Sequence, residues 1–240
     1  MVDLLTNWLT DSISERCYKA AESHNVPLLC AFNRRFDPTI HFVYDRVKNN
    51  GIGKVQVIKT TSRDSSLPSV DYVKISGGIF HDSCVHDVDV ICWIMGEAPH
   101  TVFCLAHAFH SEIGELNDVD TVGVLMKFPS GAIGQIDMSR QAVYGYDQRL
   151  EVFGANGMLT SDNSSSLNAT YSHTAGISQQ PIKISFPQRY AESYSIEMNH
   201  FINVIRKKEN LFVSTDDVIC SFNVVEAIEK SYRTGKPVSL

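Results

Sequence analysis

The sequence predicts an α+β protein of two layers. A large, open, mostly antiparallel sheet carries helices on one face, and the tail end of a doubly wound unit precedes it. Three observations point this way. From residue 101 onward, strand-like segments follow one another with no helix between them; strands in an unbroken run pair antiparallel, because parallel neighbours need a crossover. Helical patterns bracket that run, at 82–93 before it and at 193–208 and 215–234 after it. Near the N-terminus a helical stretch leads directly into Val26-Pro27-Leu28-Leu29-Cys30-Ala31-Phe32, a uniformly apolar run that suits a strand buried on both faces, as in a parallel sheet.

Each element has its own signal. Ser12–Asn25 reads as a helix with Cys17, Ala20 and Ala21 along one stripe, the spacing of one helix face. Asn33-Arg34-Arg35-Phe36-Asp37 is polar, and Pro38 opens a helix to about Asn49, since proline is favoured at the first helical position. Gly51 and Gly53 break the chain before Lys54–Thr61, whose alternation signals a strand. Gly51-Ile52-Gly53-Lys54 is a poor phosphate loop, because the further glycine is missing and a strand follows it instead of a helix. The helix over Asp82–Trp93 ends near Gly96 and Pro99. Thr101–His110, Asp120–Phe128, Ala132–Ser139 and Gln148–Phe153 are successive strands, joined by turns such as Pro129-Ser130-Gly131 and Gly154-Ala155-Asn156-Gly157. Met158–Ser161 begins another strand, a Ser/Asn-rich loop follows, and Ile182–Phe186 reads as an edge strand before the last two helices.

Composition bounds the function. The chain has 240 residues, 43% hydrophobic and 20% charged, which is ordinary for a globular protein and enough for one sizeable core, or one domain and a fragment of another. A net charge of -6 with scattered Lys and Arg argues against a nucleic-acid partner. No apolar run approaches membrane-spanning length. The six cysteines form no C-x-x-C pair, which predicts free thiols in a reducing compartment, the cytoplasm by default.

The chemistry concentrates in Gly77-Gly78-Ile79-Phe80-His81-Asp82-Ser83-Cys84-Val85-His86-Asp87-Val88-Asp89, where Asp82 and His86 stand four residues apart. On a helix such a pair projects together. A carboxylate and an imidazole can then orient a hydroxyl group and take its proton near neutral pH. The bland reading is a core histidine with a hydrogen-bonded partner. A metal site is not expected, because His81 and His86 are five apart and so spread around a helix. Asp87 and Asp89 read as structural, and Arg34-Arg35 as either a solvated pair or pocket residues.

Gly77-Gly78, Asp82, His86-Asp87, Asp89 and Trp93 together follow a G-G-x-x-x-D-x-x-x-H-D-x-D-x-x-x-W pattern. Through it the chain resembles the glucose–fructose oxidoreductase and inositol dehydrogenase family. Supporting pieces are Val26-Pro27-Leu28 leading into Asn33–Asp37, the hairpin from Glu151 to Gly157, and Tyr194 to Phe201. The match runs from about Leu9 to the C-terminus. The resemblance implies a remnant of an NAD(P)-binding Rossmann domain over 1–32, and a substrate-binding and oligomerisation domain over 33–240. It implies oxidation of a secondary hydroxyl on a sugar or inositol-like polyol with NAD or NADP, and a homo-oligomer formed through the sheet face. His86 would be the acid/base residue, with Asp82 its partner in gripping the hydroxyl. Asn33 and Arg34 would line the substrate pocket and, further along the chain, so would Arg63, Asp64 and Tyr190.

Two departures accompany the match. The glycine-rich turn and ribose-reading acid of that family have no counterpart in these 240 residues. Its catalytic lysine, in an E-K-P motif, falls on Leu4-Leu5-Thr6, with Leu5 in the lysine's place. A truncated form, inactive or nearly so by itself, is the expectation for this polypeptide, with a non-catalytic ligand-binding or subunit-pairing relative as the alternative.

Overall fold

A computed structural model describes residues 11–165, 167 and 169–240. The Leu4-Leu5-Thr6 segment lies outside the described residues. Helix α1 covers Asp11–Ser23, α2 Pro38–Lys48, α3 Val70–Ile75 and α4 Val85–Met95, the last continuing a single π-helical stretch at Phe80–Cys84. Strand β1 is Val55–Arg63, and β2 to β6 are Thr101–His107, Thr121–Lys127, Ile133–Ser139, Asp147–Gly154 and Gly157–Ser161. A short helix α5, Ser111–Gly114, sits between β2 and β3. After a two-stranded arm, β7 Thr170–His173 and β8 Gly176–Gln179, come α6 (Phe186–Arg189), α7 (Ala191–Ile205), α8 (Thr215–Thr234) and the short β9 (Val238–Ser239).

The main sheet runs β6-β5-β1-β4-β3-β2-β9. Every neighbouring pair is antiparallel except β1 with β4, which are parallel from Val57↔Ile133 to Arg63↔Ser139. Burial alternates along each strand. On β3, Val122, Val124 and Met126 are buried while Gly123, Leu125 and Lys127 are exposed, so one face meets the helices and the other stays open. Helices α4 and α8 pack together on the covered face, α8 against β2 and α4 against β1. Helix α4 is apolar nearly all round, and Val88, Ile91 and Ile94 are fully buried, as a helix inside a core must be.

Three expectations change. Val26–Phe32 joins no sheet, because no strand among the described residues runs beside it. Leu29 and Phe32 instead enter the same core as α4 and α8, and α1 packs on α8. Ile182–Phe186 is not an edge strand: Ile182 makes one isolated bridge to Ser165, and Phe186 begins a helical turn. The Ser/Asn-rich region holds the exposed β7–β8 arm. A strand exists only where a neighbour accepts its hydrogen bonds, and apolar composition cannot supply that neighbour.

Candidate active site

Strands β1 and β4 run parallel and end side by side, and a cavity of about 580 Å³ opens around their C-terminal ends. Ligands of mixed sheets gather at such ends. Its walls come from the turn at Asn33–Phe36, α3, the start of the α4 helix, the strand ends, and the segment from Ile184 into α7.

Asp82 and His86 both line this cavity. Gly77 and Gly78 take φ of +82° and +83°, a conformation that a β-carbon would strain. They swing the chain from α3 into the Asp82 helix, whose first turns are π-helical, a local widening common at functional sites. The Asp118 carboxylate accepts from Ile79 N (3.2 Å) and Val119 N (2.8 Å), satisfying an orphan donor at the helix start.

Asp82 is held from two sides. Tyr72 Oη donates to its Oδ1 at 2.6 Å, and Arg140 Nη1 lies 3.1 Å from its Oδ2. Arg140, 1% exposed, also reaches Asp118 Oδ2 at 3.2 Å. His86 lies edge-on to Phe32, and its Nδ1 is buried without a hydrogen-bond partner among the described residues. Burial, followed by the Arg34 guanidinium nearby, pushes its pKa down to about 3. Against the expectation of an imidazole titrating near ambient pH, burial in this cavity favours the neutral ring over the imidazolium.

Arg34 and Arg35 are not a solvated pair. Arg34 Nη1 lies 3.0 Å from Asp87 Oδ1 and 3.2 Å from Ser62 Oγ, and the Ser62 hydroxyl donates to that same Asp87 oxygen at 2.7 Å. Arg35 lies 2.6 Å from Asp89 and 3.2 Å from Asp217, with its guanidinium over Trp93. Asp87 and Asp89 thus neutralise buried arginines, which buried charge requires. Arg34 still lines the cavity on its other side, and so does Asn33, whose Nδ2 is buried with no hydrogen-bond partner among the described residues. The Asn33 carbonyl accepts from Ser193 Oγ, which ties this turn to α7.

Asp64 and Tyr190 also line the cavity. Burial pushes the Asp64 carboxyl up to about 6. Tyr190 packs edge-on against Tyr146, and burial raises both phenols, which keeps them neutral hydroxyls. Arg63 is the residue the fold sends elsewhere. The pleat turns it to the open face of the sheet, where it pairs with Asp137 and donates to Tyr144 Oη at 2.9 Å, outside the cavity wall. Sequence reasoning missed Tyr72, Arg140, Tyr146 and Glu197. Only Tyr72, ten residues before Asp82, had a local signal to offer.

Among the described residues no three His, Cys, Asp or Glu side chains converge on one point. The glycine turn before β1 is no phosphate cradle: a β-carbon on Gly53 would meet the Asn156 side chain at 2.9 Å, so the turn is filled by the β5–β6 hairpin. Among the described residues, the Gly51–Gly53 turn therefore does not fit the pyrophosphate of a dinucleotide.

Residues 45–240 match the family model described as the oxidoreductase family, C-terminal alpha/beta domain. The chain is 38% identical over 227 residues to a myo-inositol 2-dehydrogenase of Thermotoga maritima, covering 94% of this chain and 68% of that protein. It is 31% identical over 238 residues to a scyllo-inositol 2-dehydrogenase (NAD(+)) of Bacillus subtilis, covering 97% and 68%. The crystal structure of a putative myo-inositol dehydrogenase from Sinorhizobium meliloti superposes with a TM-score of 0.92 at 34% identity, over 96% of this chain and 70% of that one. The chain therefore spans about two thirds of the length of these relatives.

Proposed function

The chain belongs to the glucose–fructose oxidoreductase and inositol dehydrogenase family, through that family's C-terminal α/β domain, and on that premise we propose that it binds an inositol-like polyol and positions one secondary hydroxyl for NAD(P)-dependent oxidation to a ketone. The observation that best supports this reading is that Asp82 and His86 line one polar cavity at the ends of the two parallel strands. In this reading His86, neutral before substrate arrives, takes the proton from the reacting hydroxyl. Positioned proton transfer is worth ~10²–10⁴-fold when the base titrates near the working pH, so in this reading the depressed basicity of the ring rises as the substrate hydroxyl hydrogen-bonds to it. Asp82, clamped by Tyr72 and Arg140, holds that hydroxyl through a remaining lone pair. Asn33, Asp64 and Tyr190 bind the other hydroxyls, and Arg34 with its Asp87 partner fixes the wall behind them. Arg63 has no part in this reading, since it faces away.

Hydride acceptance is the chemistry a nicotinamide supplies when bound. The 240 residues contain no glycine-rich turn for its pyrophosphate, so their own work is on the alcohol and its proton. We therefore propose that this polypeptide alone oxidises no polyol. The open sheet face gives the second reading, a subunit-pairing role. Leu105, Leu125, Ile133, Phe153 and Met158 are exposed there, and an apolar face of this kind suits a second copy of the chain. The six free thiols fit a reducing compartment, the cytoplasm. No helix among the described residues is long and apolar enough to cross a membrane.

Calorimetry on the purified chain tests the main reading. Inositol is expected to bind, while NAD and NADH bind no tighter than about millimolar. A folded chain that binds no inositol overturns the polyol reading, and NAD-dependent turnover of inositol by the chain alone overturns the claim of inactivity.

A further inference from the structure

Two of the six cysteines meet across a helix pair, although they are distant along the chain. Cys92 lies near the end of α4 and Cys220 in the early turns of α8. The two helices pack together, and side-chain contacts fix their register. Phe80, in the π-helical stretch that leads into α4, meets Tyr232 with ring centroids 5.7 Å apart, and His81 Nε2 lies 3.0 Å from Glu229 Oε2. Further along, Arg35 bridges Asp89 at 2.6 Å and Asp217 at 3.2 Å. Residue numbers rise on one helix as they fall on the other, so the pair is antiparallel. Cys92 lies twelve residues after Phe80 and Cys220 twelve before Tyr232, which puts both thiols at one level of the pair. There the Cys92 thiol donates to the Cys220 sulfur.

A buried free thiol ordinarily serves as a small apolar side chain, and the fully buried Cys84 and Cys104 fit that description. Cys92 and Cys220 differ from them by facing each other with unequal access to solvent. Cys92 is buried in the core, whereas Cys220 is only half-buried at its edge. The hydrogen bond from Cys92 holds the Cys220 thiol below its ordinary pKa, against burial and the Asp217 and Asp89 carboxylates, while Arg35 adds to the lowering. The same bond, with burial, raises Cys92. The thiolate is the reactive form of cysteine. The pair therefore combines a nucleophile that solvent reaches with a shielded thiol placed against it.

We propose that Cys92 and Cys220 are a dithiol that peroxide oxidises to an internal disulfide, stapling α4 to α8. The Cys220 thiolate attacks one oxygen of hydrogen peroxide. The O–O bond breaks, the departing hydroxide takes up the proton that Cys220 had released, and Cys220 becomes a sulfenic acid. The Cys92 sulfur then attacks the Cys220 sulfur. The S–O bond breaks, and the second hydroxide leaves with the Cys92 proton as water. Two thiols are oxidised and one peroxide is reduced to two waters. A reducing compartment keeps such a pair open at rest, and a disulfide formed there is transient and redox-sensing. Helix α4 carries His86 on the cavity wall, so the staple fastens that wall to α8. The inference stands independently of the polyol reading.

Peptide mapping by mass spectrometry under non-reducing conditions tests this on the folded 240-residue chain, treated with a small excess of hydrogen peroxide near neutral pH. The Cys92 and Cys220 peptides are expected as one linked species that dithiothreitol separates. The linked chain is expected to melt roughly 5–10 °C above the reduced one. Cys92→Ser should leave Cys220 as a sulfenic acid that dimedone traps, and in Cys220→Ser the Cys92 thiol should stay unoxidised. A wild-type chain in which peroxide leaves both thiols intact, carries Cys220 to the sulfinic or sulfonic acid without linkage, or joins it to Cys17 or Cys30, overturns the proposal. A linked chain that melts no higher than the reduced one overturns the staple. The wild-type map decides the matter even where a variant fails to fold.

Discussion

His86 shows how far the surroundings of a residue can move its chemistry. Its ordinary pKa would make it a proton switch at physiological pH, yet burial and the Arg34 guanidinium hold it down to about 3. The unfolded chain restores a value of about 6.5. Between these values the unfolded state binds a proton that the folded state refuses, so this group costs stability as pH falls from about 6.5 toward 3. Histidine-selective NMR should therefore find the His86 Cε1–H resonance flat from pH 8 to pH 4, and a midpoint near 6.5 would contradict the buried, neutral ring described here. That Asp82 and His86 line one cavity follows from a local spacing: four residues on one helix share a side. The clamp on Asp82 has no such local origin. Arg140 is 58 residues away, and no pattern along the chain announces that its guanidinium folds back onto the start of the α4 helix. The same holds for the two arginines at Arg34 and Arg35, whose partners Asp87 and Asp89 are distant in sequence.

Elements held to the sequence reading where their ends carry chemical signals. Helix α8 begins at Thr215 because Ser214 and Asp217 form a reciprocal capping box: Ser214 Oγ accepts from Asp217 N at 3.1 Å, and Asp217 Oδ2 accepts from Ser214 N at 2.9 Å. It ends at Gly235 in the left-handed conformation. This helix buries Val218, Phe222, Val225 and Ile228, so its cap matters to the whole core. Ser214→Ala should lower unfolding free energy by about 1 kcal/mol, read from urea denaturation. A loss within error of zero would mean that the cap is redundant with packing. Where an element's identity rests on a neighbour, the sequence reading failed. Val26–Phe32 has the composition of a buried strand but no strand beside it among the described residues. Ile182 likewise finds one bridge and no ladder.

At the scale of the whole molecule the open face of the sheet is the feature without a partner among the described residues. Leu125 lies opposite Phe103 on β2, and Ile133, Val57, Phe153 and Met158 form one row across β4, β1, β5 and β6. If a second copy covers this face, the double variant Leu125→Asp and Phe153→Asp should shift sedimentation velocity at tens of micromolar (~10–50 µM) from an oligomer to a monomer, with the melting temperature little changed because both side chains are exposed. A wild-type chain that sediments as a monomer would remove the pairing role. What this sequence determined by itself is what depends on near neighbours along the chain: helix periods and caps, the alternation of the strands, the antiparallel run, and the spacing that puts Asp82 and His86 on one cavity wall. The tertiary structure alone decided that β1 and β4 lie parallel with the cavity at their ends, that Arg63 faces away from it, that His86 stays neutral, and that Tyr72 and Arg140 clamp Asp82. The physical reason is that burial, ion pairing and strand partnership are properties of residues brought together from distant parts of the chain, whose energies no local pattern encodes.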